Sequence, residues 1–350
     1  MLAFPTLEMT IDPILSKLVN TPAPSGRENR VREIISERLM DLGYEPLSDS
    51  IGNLYVVIGE GRPLILLAAH MDEVGFMVKY VDEKGFLRIT FLGGLNAERL
   101  PGSEIIVLGN ERDYYGIIGS IPPHLSRDEK KSEITVDDLF IDVGASSREQ
   151  VFEMGIEPGT TATFIGNFKD WGEFVSGKAF DDRIGCYVLL KALEDFEPPE
   201  TGSIVVAFTV QEEVGLRGAS VLAHSLQPNF AISIEGTIAN DTPGNDESRI
   251  VTRIGEGPAI RVMDKTILAS ERLIKHVRKT AEDNNIPYQL QLSPYSGTDA
   301  GRFILTGAEV TSISVPVRYI HSPVALAKKD DIDFTIQLLR KLLEDPFPGS

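Results

Sequence analysis

The stretch LILLAAHMDEVGF, Leu64 to Phe76, decides the fold. Leu64 to Ala69 is a continuous apolar run, the pattern of a short strand covered on both faces of a parallel sheet, and it ends directly in His70. From about Glu73 to about Gly166 the character changes. The segments FMVKYV, FLRITFL, EIIVLG, YYGIIG and TATFIG are short, rich in branched and aromatic residues, and separated by Gly, Pro, Asp or Asn. They predict an all-β module that begins where the buried strand ends. Within it, HLSRDEKKSEIT is charged and aperiodic, and reads as an exposed loop.

On either side of that module the rhythm is α/β. Upstream, IDPILSKLVNTPAPSGRENRVREIISERLMDLGY predicts two helices, broken at Pro22 and Pro24 and stopped at Gly43. EPLSDS and NLYVVIG then predict a hairpin around Gly52-Asn53. Downstream, the strands SIVVAFTV, NFAISI, YQLQLSP and EVTSISVPV alternate with the helices LRGASVLAHSL, SERLIKHVRKTAEDN and DDIDFTIQLLRKLLED. Such alternation predicts a mixed, mostly parallel sheet with helices on both faces. The predicted organisation is an α/β domain in two parts, 1–72 and 167–350, interrupted by a β insertion at 73–166.

The chain has 350 residues and 42% hydrophobic content, enough for a full core. A net charge of -18 and a pI near 4.8 exclude nucleic acid and anionic membrane as partners, because phosphate would be repelled. No apolar run has the length of a membrane span, and MLAFPTLEMTIDPIL lacks the basic and apolar regions of a signal peptide, so a cytoplasmic location is expected. The single cysteine, Cys186, lies in a predicted helix beside Tyr187 and Val188 and reads as core rather than nucleophile. No internal repeat or low-complexity segment is present.

Ligands of open α/β sheets bind outside the carboxyl ends of the strands. Here one predicted strand ends in His70, another in Gln211-Glu212-Glu213, and a third in Glu235. The turn FDDRIG, Phe180 to Gly185, adds Asp181 and Asp182 at a helix start, and a loop adds His321. Each has a bland reading. Either aspartate suits a helix N-cap, and an isolated strand-end His or Glu is usually just packed or solvated. Several converging on one rim make coincidence a poor explanation. Two imidazoles and several carboxylates without a thiolate suit zinc, cobalt or manganese. Their number exceeds the needs of one catalytic ion, which favours two metals bridged by an acid of FDDRIG. Neighbouring strand-end residues point differently, so one of Glu212 and Glu213 can bind metal while the other reaches a water.

In this order and on this framework, AAHMDEVGF, KAFDDRIGC, TVQEEVGLRGA, SGTDAG and RYIHSP resemble the tetrahedral aminopeptidases, cytosolic dinuclear metallopeptidases that include glutamyl and deblocking aminopeptidases. The resemblance runs from Ser25-Gly26 to the last helix. It implies two divalent cations, zinc or cobalt, with Asp182 bridging them, His70 and Glu213 completing one site, and Glu235 and His321 completing the other. It implies Glu212 as general base, Asp72 as the residue that orients the His70 ring, and Asp181 as support for the turn, with a cis peptide between Asp181 and Asp182 as in relatives. Glu235 departs from the pattern, since many members carry Asp there. The β insertion would pair subunits, and the pairs would assemble into a hollow homododecamer open to short peptides.

Competing readings are a dinuclear deacylase of N-acylated amino acids or peptides, an endoglucanase, and a catalytically silent peptide-binding scaffold. Only 7% aromatic residues and one tryptophan argue against stacking sugar rings, and the complete donor set argues against the scaffold. His124, His224 and His276 fall outside the motifs and read as structural or surface residues. The SGTDAG loop and residues after Glu235 are expected to form the first-residue pocket, which Lys265 could reach; Arg217 and Arg318 lie within motifs and favour no side chain.

Overall fold

A computed structural model describes residues 11–121, 133–199 and 201–348. His124, residues 124–132 of the charged loop and residues 1–10 of the amino terminus lie outside the described residues. The first part holds helices α1 (Pro13–Asn20) and α2 (Asn29–Asp41) and strands β1 (Leu47–Ser48), β2 (Leu54–Glu60) and β3 (Leu64–His70). Strands β4 (Gly75–Val81), β5 (Leu87–Leu92), β6 (Glu104–Leu108), β7 (Asp113–Ser120), β8 (Leu139–Asp142) and β9 (Thr161–Phe164) follow, with a short α3 (Arg148–Glu153). The chain then returns through β10 (Lys169–Trp171), β11 (Phe174–Gly177), α4 (Phe180–Ala192), β12 (Gly202–Thr209), α5 (Arg217–Leu226) and β13 (Phe230–Ile238). It closes with β14 (Ala259–Asp264), α6 (Glu271–Asp283), β15 (Gln289–Ser293), α7 (Ala300–Phe303), β16 (Glu309–Arg318), β17 (Ala325–Lys328) and α8 (Lys329–Glu344).

The fold is mixed α/β with a separate all-β unit. Eleven strands form one sheet in the order β1-β2-β12-β3-β13-β16-β17-β11-β10, with β14 and β15 branching from β16. Its centre is parallel, β12 to β3 to β13 to β16, while the flanking pairs β1–β2, β2–β12, β16–β17, β17–β11 and β11–β10 are antiparallel. β3 shows why its sequence has no polar alternation. Ile65, Leu67 and Ala69 pack on one face with α1, α2, α4, α6 and α8, and Leu64, Leu66 and Ala68 on the other with α5 and α7. Strands β4-β5-β8-β7-β6-β9 close into a six-stranded barrel with its own apolar core, including Phe76, Ile89, Val107 and Phe164. The sequence reading does not anticipate β8, β10, β11, β14 or β17. Each spans only three to six residues; β10 pairs locally with β11, and the others exist through long-range pairing, as β17 does with β11. Among the described residues no helix is long and apolar enough to cross a membrane.

Barrel and sheet are joined by buried charge. Glu73 lies between the end of β3 and the start of β4, and its oxygens stand 2.6 Å from Lys178 Nζ and 3.3 Å from an Arg183 nitrogen. Thr163 of β9 donates to the same carboxylate at 2.9 Å, as does the Ala23 N–H at 2.8 Å. Arg183 also donates to the carbonyls of Leu18 and Thr21 at the end of α1. All three ionic side chains are almost completely buried. Removing one partner of such a cluster costs about 3–5 kcal/mol, because the remaining charge is left uncompensated.

Helix α4 carries the FDDRIG turn. Asp181 and Asp182 have non-helical torsions, so the regular helix begins after them. Its start presses on β13. A Cβ at Gly185 would lie 2.3 Å from Asp182 Oδ1 and 2.4 Å from the Ile234 carbonyl, neither of which has room to retreat. Gly185→Ala is therefore expected to destabilise the protein by about 3 kcal/mol, the upper range for overpacking a filled site. A denaturant midpoint equal to that of the parent would show that the contact relaxes freely.

Candidate metal centre

The site lies at the carboxyl ends of β3, β12 and β13, where strand ends, the α4 turn and the loop after β16 meet. β3 delivers His70, 2% exposed. Its Nε2 is 3.0 Å from Asp181 Oδ1. On the other side, His321 Nε2 is 3.2 Å from Asp181 Oδ2 and 3.3 Å from Glu213 Oε1. One carboxylate, that of Asp181, thus spans two imidazoles with one oxygen to each.

Asp182, expected to bridge two cations, is placed differently from Asp181. Asp182 is fully buried and its carboxylate is turned away, accepting the N–H groups of His70 at 3.0 Å, Gly185 at 2.9 Å and Gly236 at 3.0 Å. Both of its oxygens are engaged by backbone, whereas Asp181 keeps both facing the imidazoles. The Asp181–Asp182 peptide is cis. Glu213 stands near both imidazoles: its Oε1 is 3.3 Å from His321 Nε2, and its carboxylate also groups with His70 and Asp181. Sequence alone could not rank two adjacent aspartates, since either can cap a helix.

Asp72 organises the rim. Its oxygens accept the Ser25 hydroxyl at 2.6 Å and the N–H groups of Glu212 and Glu213 at 2.9 and 3.2 Å. His70 Nδ1 is 3.4 Å from Asp72 Oδ1 and 3.2 Å from the Asp72 carbonyl. A single acid therefore meets both the His70 ring and the backbone that follows β12. Glu212 Oε2 lies 3.9 Å from His70 Nε2. Glu235 is buried on β13, with an oxygen 3.6 Å from the guanidinium of Arg261, which is itself paired to Asp264 at 2.8 Å. Arg261 and Gly94, whose carbonyl meets His321 Nδ1 at 2.8 Å, are neighbours the sequence reading missed.

The remaining candidates are dispersed. Cys186 is buried, its thiol pushed up by burial and donating to the His70 carbonyl at 3.2 Å, a core residue as expected. His224 is exposed, and His276 contacts the Asp345 carbonyl at 2.8 Å. Arg318 pairs with Asp241 and Arg217 with Gln211, while Lys265 is exposed.

These residues fit a divalent cation. The donor set is nitrogen and oxygen, ligand atoms of His70, Asp181 and Glu213 lie within 4.8 Å of one another, and Glu213 Oε1 is buried without a hydrogen bond. The electrostatics agree. Burial, reinforced by neighbouring acids, raises Glu212 and Glu213 and pushes Glu235 up to about 8. Burial pulls both histidines down but the acids outweigh it: Glu212, Asp181 and Asp72 hold His70 well above the ordinary imidazole range, and Glu213 and Asp181 push His321 up to about 11. Against its own burial, Asp181 is held low by the two histidines. So many buried acids share too few protons, and cations relieve that shortage.

The sign of the pH dependence follows. A raised folded-state pKa contributes stability that is complete below the unfolded value and is lost as pH rises through the folded one. Both histidines, ordinarily near 6.5, and Glu235, raised to about 8, act in that sense, while the depressed Asp181 and Asp72 are already ionised throughout this window. Metal-free protein is expected to melt at progressively lower temperature as pH rises from about 5, through the value of about 8 for Glu235, toward about 11 for His321. Saturating zinc or cobalt should flatten the slope, because metal binding requires deprotonated donors. Calorimetry of chelated protein showing a flat or rising profile would contradict the assignment.

The chain is 35% identical over 342 residues to the lysyl aminopeptidase of Pyrococcus furiosus, covering 96% of this chain and 97% of the relative. Among solved structures it is similar to the Pyrococcus horikoshii TET1 peptidase, which can assemble into a tetrahedron or a large octahedral shell, with a TM-score of 0.84, 35% identity, and 94% and 98% of the two chains covered. A structure described as an endoglucanase of Thermotoga maritima is also similar, with a TM-score of 0.79, 31% identity, and 95% and 97% covered. The family model of M42 glutamyl aminopeptidase matches residues 52–338, and the chain belongs to that family.

Proposed function

We propose that this aminopeptidase-family hydrolase removes N-terminal residues from short peptides with two divalent cations, zinc or cobalt, at the centre described above. The observation that carries the reading is the Asp181 carboxylate set between His70 Nε2 and His321 Nε2. His70, Asp181 and Glu235 would hold one cation, and Asp181, Glu213 and His321 the other. Bound there, the cations supply Lewis acidity toward the scissile carbonyl and lower the pKa of a water.

The chain's own residues do the rest. Glu212 stands at the rim near His70, its acidity weakened by burial, as suits a general base. It takes a proton from the attacking water as the new C–O bond forms, and returns it to the leaving amine as the C–N bond breaks. Asp72 holds the His70 ring and the Glu212–Glu213 backbone in place throughout. Asp182 acts through the backbone it binds. Exopeptidase action follows if the acids of the site also anchor the free α-amino group of the substrate. The proposed organisation is a catalytic domain at 1–72 and 167–350 with the β unit at 73–166 pairing subunits into a dodecamer in the cytoplasm. The assembly of the Pyrococcus horikoshii TET1 peptidase into a tetrahedron or an octahedral shell supports self-association of this kind.

The test is mass spectrometry of free and N-acetylated peptides incubated with chelated protein and with protein reloaded with zinc or cobalt. Stepwise loss of residues from free amino termini, restored by metal, is expected; cleavage confined to acetylated substrates would instead indicate a deacylase. Two variants separate the roles. Glu212→Gln should keep its metal while kcat falls about 100-fold or more, the scale of a lost general base. Asp181→Asn should lose metal outright. Normal metal content in Asp181→Asn would remove that residue from the centre.

A further inference from the structure

We propose that the β barrel is a working part of the metal centre: its Gly93–Gly94 turn, just beyond β5, positions His321 and walls Glu213. This rests on the two-metal reading above and goes beyond it, because the barrel was assigned only to assembly.

The contacts are direct. The Gly94 carbonyl lies 2.8 Å from His321 Nδ1. A carbonyl only accepts, so Nδ1 carries the proton and Nε2 is left as the nitrogen that faces Asp181 and Glu213. The turn therefore sets both the ring's orientation and which nitrogen is available to a cation. His321 itself sits in a loop, with φ of 54°, and needs such an external hold.

The glycine at 93 is explained by this approach. Gly93 has φ of +83°, and a Cβ there would lie 2.8 Å from Val74 Cγ1, 3.0 Å from Glu213 Oε2 and 3.2 Å from Glu213 Cβ. A Cβ at Gly94 would lie 3.4 Å from His321 Nδ1. At Gly93 the backbone thus passes so close to Glu213 that a side chain of its own does not fit, while at Gly94 a Cβ would rest in ordinary contact with the His321 ring. Behind the turn, Leu92 pairs with Gly75 at the root of the barrel, and the buried Glu73–Lys178–Arg183 cluster fastens that root to the sheet. The turn is consequently held by rigid elements on both sides.

The experiment titrates cobalt(II) into the metal-free full-length protein, following the visible absorption of the bound ion and metal content by mass spectrometry. Gly93→Ala is compared with Gly102→Ala, a barrel glycine with φ of +86° and no atom within 4 Å of its Cβ. The control carries the same backbone penalty without the contact. Gly93→Ala is expected to weaken one of two cobalt sites by about 10- to 100-fold, the usual effect of losing a partner that orients a ligand, and to alter its spectrum. Gly102→Ala should match wild type in both readouts, whatever its melting temperature. If Gly93→Ala does not fold, Gly94→Val takes its place: its branched methyls, beyond a Cβ already 3.4 Å from His321 Nδ1, crowd the ring and should weaken the same site. Wild-type cobalt affinity and spectrum in the folded variant would overturn the inference while leaving the two-metal reading intact. Absence of cobalt binding by wild type would overturn both.

Discussion

The structure depends on one buried carboxylate. Asp182 accepts backbone N–H groups from the end of β3, from the first turn of α4 and from β13, and so ties together three elements that each deliver a site residue. Gly185 and Gly236 make this closeness feasible, since a Cβ at either would strike Asp182 or the Phe180 carbonyl. With its neighbour engaged in this way, Asp181 remains free to face two imidazoles. The pair divides labour: one acid builds the frame, and the other occupies it.

The same frame creates the electrostatic demand that defines the site. Glu212, Glu213 and Glu235 are drawn out of water around Asp181, and burial raises all three. Left to themselves they compete for protons with two imidazoles already pushed upward. Arg261 offsets part of the charge near Glu235, but it is also committed to Asp264. Acids gathered at this density around two imidazoles make a nitrogen and oxygen donor set of the kind that suits a divalent cation.

The barrel and the sheet are coupled more tightly than an inserted module requires. Glu73 follows directly on the Met71-Asp72 segment behind His70, and its partners come from α1's end, β9 and the approach to Asp181. The barrel's root and the metal rim therefore share a few residues of chain. The Gly94 carbonyl continues that coupling on the other side of the site.

Much of this is legible in the sequence. The apolar run Leu64–Ala69, the places of His70 at one strand end and of Glu212 and Glu213 just past another, and the short β segments after Glu73 follow from local pattern, because burial on one or two faces leaves a periodic trace; β13, by contrast, runs past Glu235 to Ile238. The donor types follow from chemistry that needs only residue identity. The choice between Asp181 and Asp182 does not, because adjacent residues have the same local signature and differ only in which backbone amides surround them once α4 meets β13. Likewise Arg261 beside Glu235, and Gly94 against His321 across 227 positions, leave no periodic trace. The sequence by itself determined the classes of element and the kinds of donor group, since these depend on local period and side-chain chemistry. Only the tertiary structure decided which acid faces the imidazoles and which part of the barrel touches them, since those depend on hydrogen bonds and steric gaps between segments far apart in the chain.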